Sequence, residues 1–385
     1  MKKFFCIVSI ILMVLVIIMF CPSIINAADI TVTNAEELAN ALGNATVEGD
    51  KVTLEGNTII GDYYDNNVII IDAGDKKLEI DLAGNTIEGK TMNEMFYLKS
   101  GTLIFSDSLG EGKVDNSNEQ SYTMFVMEGG NLEINSGEFT SHNEIINCMK
   151  GNLTINGGKL KSLNSNAIFL NIHGDISVYE AIINGGTFNG KESACYVNTG
   201  KMTINKGDFV GENYGILVSA WTNVNLKIKG GNFEGTKSAL NISNSDISVS
   251  LSGGKYTATS TDEQENEGAI SIFSTYYSEQ GETYSPYSPI NLLEEGYTFY
   301  DDDTIELKKV LSYSDFSQHF YGTKSTVTVA LKENDSNIEK EENKPSEEIK
   351  EKDETPKTGS SIILFYEISI ILGIAFIGFV IIKRK

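Results

Sequence analysis

The chain has 385 residues, with 30 basic against 53 acidic side chains, a formal net charge of −23, and 41% hydrophobic residues. So acidic a chain is repelled by nucleic acid and by anionic membrane surfaces, which argues against either as a partner. Only Cys148 and Cys195 lie beyond the first 27 residues, so there is no disulfide framework and stability has to come from burial.

Residues 1–27 read as a secretory signal peptide. Lys2 and Lys3 precede an apolar run from Phe4 to Phe20, Pro22 breaks it, and Ile25-Asn26-Ala27 supplies a cleavage site after Ala27. The competing reading, an uncleaved anchor, has 17 apolar residues, the lower limit for crossing a bilayer. Lipidation at Cys21 is excluded by the bulk of Phe20. Residues 28–44 read as an N-terminal cap. In TNAEELANALGN, Asn34 is placed to N-cap a helix, Glu37 stands three residues on as in a capping box, Leu38 and Leu42 share a face, and Gly43 ends it.

From residue 45 to 310 the chain repeats itself. GGNLEINSGEF (129–139), GNLTINGGKL (151–160) and GKMTINKGDF (200–209) are near copies. Gly-x-apolar ends fall at Phe139, Leu160, Phe188, Phe209, Phe233 and Tyr256, at intervals of 21, 28, 21, 24 and 23 residues. Weaker versions end at Ile59, Ile87 and Val114, which makes about nine coils with a solenoid period. Alternating pairs such as Leu132 and Ile134, or Met202 and Ile204, predict short half-buried strands. A second apolar run precedes each pair, as in MFVM (124–127), AIFLNI (167–172) and ACYV (194–197). Such strands bury their faces only by stacking coil on coil. Glycine marks the corners, and Asn135, Asn156, Asn184 and Asn205 recur at one place in four coils, where their amides are placed to bond along the stack. The alternative for that row is a ligand site. Cys148 and Cys195 fall one coil apart from adjacency, beyond disulfide reach, so two buried free thiols are expected. This pattern resembles the right-handed parallel β-helix of the pectin-lyase-like superfamily, an all-β solenoid. The leucine-rich repeat fits the period but lacks the L-x-x-L-x-L spacing.

Within 290–310, INLLEEGYTFYDDDTIELKKV reads as a closing strand pair, and residues 311–331 as a C-terminal cap segment. Residues 332–354 are Glu, Lys, Asn and Asp with almost no apolar residue, the composition of a disordered linker suited to spanning a wall. The final segment, 355–385, holds Thr355, Pro356, Lys357, Thr358 and Gly359, an apolar stretch 361–382, and the tail Lys383-Arg384-Lys385. As a helix the stretch is about 33 Å long, a bilayer's hydrocarbon thickness, and the basic tail keeps that end cytoplasmic. The three-part order resembles the sorting signal of Gram-positive wall-anchored (LPxTG-like) proteins. The resemblance implies a sortase as partner, cleavage between Thr358 and Gly359, and attachment of Thr358 to the peptidoglycan cross-bridge, with the membrane helix holding the chain beforehand. Thr355 stands where the family has Leu. Removing both ends leaves 25 basic against 52 acidic residues, a balance of −27.

The β-helix superfamily includes polysaccharide lyases and hydrolases. Its lyases use an Arg or Lys base near Ca²⁺, and the only arginine here is Arg384 in the tail. Its hydrolases need neighbouring carboxylates and often carry a GHG histidine motif. His173 sits in IHGD, His142 and His319 in unrelated contexts, and the run Asp301, Asp302, Asp303 falls at the closing turn. Glu133, Glu138 and Asp208 take outward strand positions. No catalytic residue, cofactor or metal ligand is assigned; Ca²⁺ between coils is conceivable but has no repeated ligand motif behind it. The candidate ligand contacts are Tyr276, Tyr277, Tyr284 and Tyr287 in the polar loop STYYSEQGETYSPYSP (274–289), with Tyr63, Tyr64 and Trp221 as lesser ones. Three functions stay open: an adhesin or surface interaction module binding glycan or host protein, an anchored polysaccharide hydrolase or lyase, and a passive structural surface protein.

Overall fold

The computed structural model describes residues 29–44, 51–60, 68–90, 93–219, 223–243, 247–262, 267–272, 276–277, 283–284, 292–301, 305–306 and 326–332. The leader, the chain beyond Lys332 with the sorting pentapeptide, and Tyr63, Tyr64, Trp221, Tyr287, Asp302, Asp303 and His319 lie outside these residues.

The described fold is all-β, a parallel solenoid of about nine turns. Each complete coil contributes one strand to each of three columns. Phe125–Glu128, Asn131–Ile134 and Glu138–Ser141 form one such coil, and Ile146–Lys150, Leu153–Ile155 and Lys159–Ser162 stack on it in parallel. Period-2 alternation puts the apolar residue of each strand inside. In the third column Ile87, Val114, Phe139, Leu160, Phe188, Phe209, Phe233 and Tyr256 stand in one register, and all are buried. Four of these rings stack face to face, with centroids 4.5 Å apart for Phe188 and Phe209, 5.1 Å for Phe209 and Phe233, and 4.9 Å for Phe233 and Tyr256. The Tyr256 hydroxyl, sealed in the core, donates to the Gly253 carbonyl at 3.0 Å.

The first coil departs from the expected register. Thr58, not Ile59, pairs with Ile87, and Ile59 faces outward, 48% exposed, opposite Glu88. Three consecutive β-branched residues (58–60) let the strand choose either face, and Thr58 and Ile60 point inward. A one-residue slip exchanges the two faces.

The asparagine row forms as expected. Asn156 Nδ2 donates to Asn135 Oδ1 at 2.7 Å, Asn184 to Asn156 at 2.8 Å and Asn205 to Asn184 at 2.8 Å. Beside it, Gly137, Gly158, Gly186, Gly207, Gly231 and Gly254 turn the chain into the third column with φ between 92° and 136°, a region costly for any side chain. Glu138 is outward as expected, but it bridges Lys159 at 2.6 Å and Lys113 at 3.7 Å on the neighbouring rungs.

A helix, Ala35–Asn44, packs on the first strands. Asn34 Oδ1 accepts from the Glu37 N–H at 3.0 Å, and Leu38 and Leu42 are buried. The capping box closes one residue early: the Glu37 carboxylate accepts from the Thr33 N–H at 2.8 Å and from the Thr33 hydroxyl at 2.9 Å. Thr33 offers both its N–H and its hydroxyl to that carboxylate, while the Asn34 side chain is turned to the Glu37 N–H. The helix also runs past Gly43 instead of ending there.

At the far end Tyr297–Asp301 pairs antiparallel with Ile305–Glu306, the expected closing pair. A strand that the sequence did not reveal, Thr326–Leu331, lies between it and Lys255–Ala258, antiparallel to both. Cys148 pairs with Leu170 and Cys195 with Ile168, so one strand separates them; both thiols are free and buried. Burial pushes the Cys148 thiol up to about 12 and Cys195 higher still, which makes both inert as nucleophiles.

Candidate functional site

The tyrosine segment is part strand. Tyr276–Tyr277 pairs antiparallel with Thr283–Tyr284, which sets Tyr276 opposite Tyr284 and Tyr277 opposite Thr283. Three of the four candidate tyrosines therefore belong to one small hairpin rather than to an irregular loop.

A second set of rings lies on the outer face of the first column. Ile70, Tyr97, Val126, Asn147, Phe169, Tyr196, Leu217 and Asn241 stand in continuous register, one per coil. Six of these eight outward positions are apolar or aromatic, whereas a solvated sheet face should be polar. The Phe169 and Tyr196 rings stack with centroids 5.0 Å apart and planes 25° apart, both half-buried. The Tyr97 hydroxyl donates to the Glu128 carboxylate, which with partial burial lifts the phenol to about 12. Lys99 Nζ lies 5.9 Å from the centre of the Tyr97 ring.

Amides flank these rings. Asn198 Nδ2 donates to Asn171 Oδ1 at 2.8 Å, and Asn171 Nδ2 meets His173 Nε2 at 3.2 Å. Asn147 Oδ1, between Val126 and Phe169 in register, is buried and has no hydrogen-bond partner among the described residues. Such an acceptor carries a desolvation cost.

The residues a hydrolase would use do not converge in this way. Glu267 is a half-buried carboxyl whose pKa is raised by burial against the lowering effect of its partners. Those partners are Asn241 Nδ2 at 2.8 Å and the Tyr214 hydroxyl at 3.4 Å, an amide and a phenol rather than a second acid. Asp301 ends its strand opposite Ile305, and His173 is exposed on a turn. Glu133 and Asp208 each bond an asparagine of the next coil, at 3.2 Å and 2.7 Å. Among the described residues no group of three or more His, Cys, Asp or Glu side chains converges on a metal position.

Comparison with protein-family models, with curated proteins and with solved structures returned no match. The outward rings are legible after the fact in the runs MFYL (95–98), AIFL (167–170) and ACYV (194–197). Each is apolar at successive positions, where a half-buried strand would alternate. The runs read as core because a continuous apolar stretch does not reveal which side of it lacks a partner.

Proposed function

We propose that this protein is a displayed adhesive module whose ligand face is the ring row of the first column, and that its ligand is a glycan. The observation that carries the reading is the in-register row of Tyr97, Phe169 and Tyr196 with the Asn147, Asn171 and Asn198 amides beside it. Apolar ring surface with a few fixed polar groups is the usual make-up of a small-ligand site. Display follows from the ends of the chain. In this reading the leader is removed after Ala27, a sortase joins Thr358 to the peptidoglycan cross-bridge, the apolar stretch 361–382 holds the chain in the membrane beforehand, and 332–354 spans the wall. The helix Ala35–Asn44 serves as a cap and the solenoid winds right-handed.

The test is binding of the purified full chain to a panel of immobilised plant, host and bacterial polysaccharides, followed by mass spectrometry of the soluble fraction. Retention without released oligosaccharide is expected, and the F169S/Y196S double variant should lose it while still unfolding in a cooperative thermal transition, at a somewhat lower temperature. Equal retention by that variant removes the ring row as the site. Released oligosaccharides would replace the adhesive reading with a degradative one.

A further inference from the structure

The corners between the third and first columns change length along the stack. Three consecutive corners are two residues long, at 191–192, 212–213 and 236–237, because Gly190, Gly211 and Gly235 end the preceding strands. A Cβ on these glycines would lie 1.8 Å, 1.8 Å and 2.2 Å from the Ser193, Tyr214 and Ser238 carbonyl oxygens. No other residue permits so sharp a bend. The corner before them, 163–167, has five residues and the one after, 259–269, has eleven. Along the three tight corners lies a trough of about 590 Å³ that runs along the stack, with Lys161 and Ser162 at one end and Thr259 at the other.

One wall of the trough is a row in register: Lys161, Asn189, Val210 and Glu234. The other carries Lys191 and Glu212, which neutralise each other at 2.5 Å. Lys161 and Glu234 have no ion partner among the described residues, and both are exposed. Three rungs separate them, about 14 Å at about 4.8 Å per rung. Val210 between them is 38% exposed. The wall therefore presents a cation, an amide, an apolar patch and an anion in a straight line.

We infer that this trough binds an extended peptide carrying an acidic side chain that meets Lys161 and a basic one, four residues away, that meets Glu234. At about 3.4 Å per residue, four residues of extended chain span the distance, and positions i and i+4 share a face. The residue midway between them, on the same face, falls between Asn189 and Val210, within reach of the exposed valine. The site is separate from the ring row, so this inference does not rest on the glycan reading.

The experiment measures affinity of the full chain for three blocked peptides by fluorescence anisotropy: Glu-Thr-Val-Thr-Lys, and the same sequence with Lys at both ends or Glu at both ends. The mixed peptide should bind about fivefold more tightly than either other, the worth of exposed ion pairs, and the difference should shrink at high salt. Lys161→Glu should make the Lys/Lys peptide the best of the three, and Glu234→Lys should do the same for the Glu/Glu peptide. Both side chains are exposed, so folding is checked by an unchanged melting temperature. Equal affinities, an order of preference that the reversals leave unchanged, no binding of any peptide, or binding only of neutral oligosaccharides indifferent to both reversals would each overturn the inference.

Discussion

Replacing Phe209 by Ala tests whether stacked rings hold the solenoid together. Phe209 is fully buried between Phe188 and Phe233, with centroids 4.5 Å and 5.1 Å away, so both of its faces lose a neighbour at once. Removing a buried Phe costs about 3–5 kcal/mol. Two ring contacts at about 0.5–1.5 kcal/mol each place this site at the top of that range. Against a typical domain stability of about 5–15 kcal/mol, the loss is a large fraction of the whole. In a stack where each coil touches only its neighbours, the weakened rung also becomes the place where cooperativity breaks. Urea denaturation followed by circular dichroism should show a lower midpoint and a second transition. Hydrogen exchange should accelerate first in Thr187–Gly190, Asp208–Gly211 and Asn232–Gly235. Phe209→Leu, which keeps most of the volume, should cost about 1.5 kcal/mol or less. A Phe209→Ala loss below about 1 kcal/mol, with one sharp transition, would refute the argument that this column of rings couples the rungs.

Three other substitutions probe different forces. Burial pushes the Asp81 carboxyl up, but Lys51 at 2.8 Å and the Ser108 and Ala83 N–H groups at 2.9 Å and 3.0 Å more than offset it, leaving a pKa of about 2 against an ordinary 3.8. Its stabilisation is therefore full above pH 4 and lost as pH falls through 2; Asp81→Asn should cost about 2 kcal/mol at pH 7 and flatten the stability curve over that window. Glu267 has the opposite sign, since burial raises its pKa, so its contribution is full in acid and lost as pH rises through the folded value. Glu267→Gln keeps an acceptor for the Asn241 amide and offers its NH2 to the Tyr214 oxygen, which can accept instead of donate, and should raise the melting temperature at pH 7 but not at pH 4; a lower value at pH 7 would show that the charge is needed. Gly211→Ala places a methyl 1.8 Å from a carbonyl oxygen and should cost about 3 kcal/mol or more, while Gly174→Ala, at φ 92° with open space around it, should cost about 1–2 kcal/mol. Equal chemical-denaturation midpoints for the two would mean that the tight corner relaxes freely.

How far the sequence carried depended on which interactions are local. The rungs from Val114 to Tyr256 could be aligned residue by residue because each ends on a turn glycine followed two positions later by a buried apolar residue. At Ile59 the glycine, Gly56, stands three positions earlier, and three successive β-branched residues left the face undecided. The asparagine row was legible because one side chain recurs at one position. The tight corners were not, since Gly190, Gly211 and Gly235 look like any other turn glycine until the carbonyl opposite each is placed. Nor was the outward placement of Tyr97, Phe169 and Tyr196, for an all-apolar run does not say which of its residues faces away from the core. The Thr326–Leu331 strand pairs with residues about seventy positions earlier, and no repeat or turn signal announces so distant a partner.

That strand also sets an order of events. Coils can stack one on another as the chain is made, each on the edge left by the last. The third column is different, because Lys255–Ala258 receives its last neighbour only when Thr326–Leu331 has been synthesised, and Tyr297–Asp301 waits for the same segment. Until then both present open hydrogen-bonding edges of the kind that recruit other chains. A nascent chain stopped short of residue 326 is thus a nearly complete solenoid with a sticky end, and the time taken to make the roughly seventy residues from Ala258 to Leu331 is the interval during which it has to be kept apart from its copies.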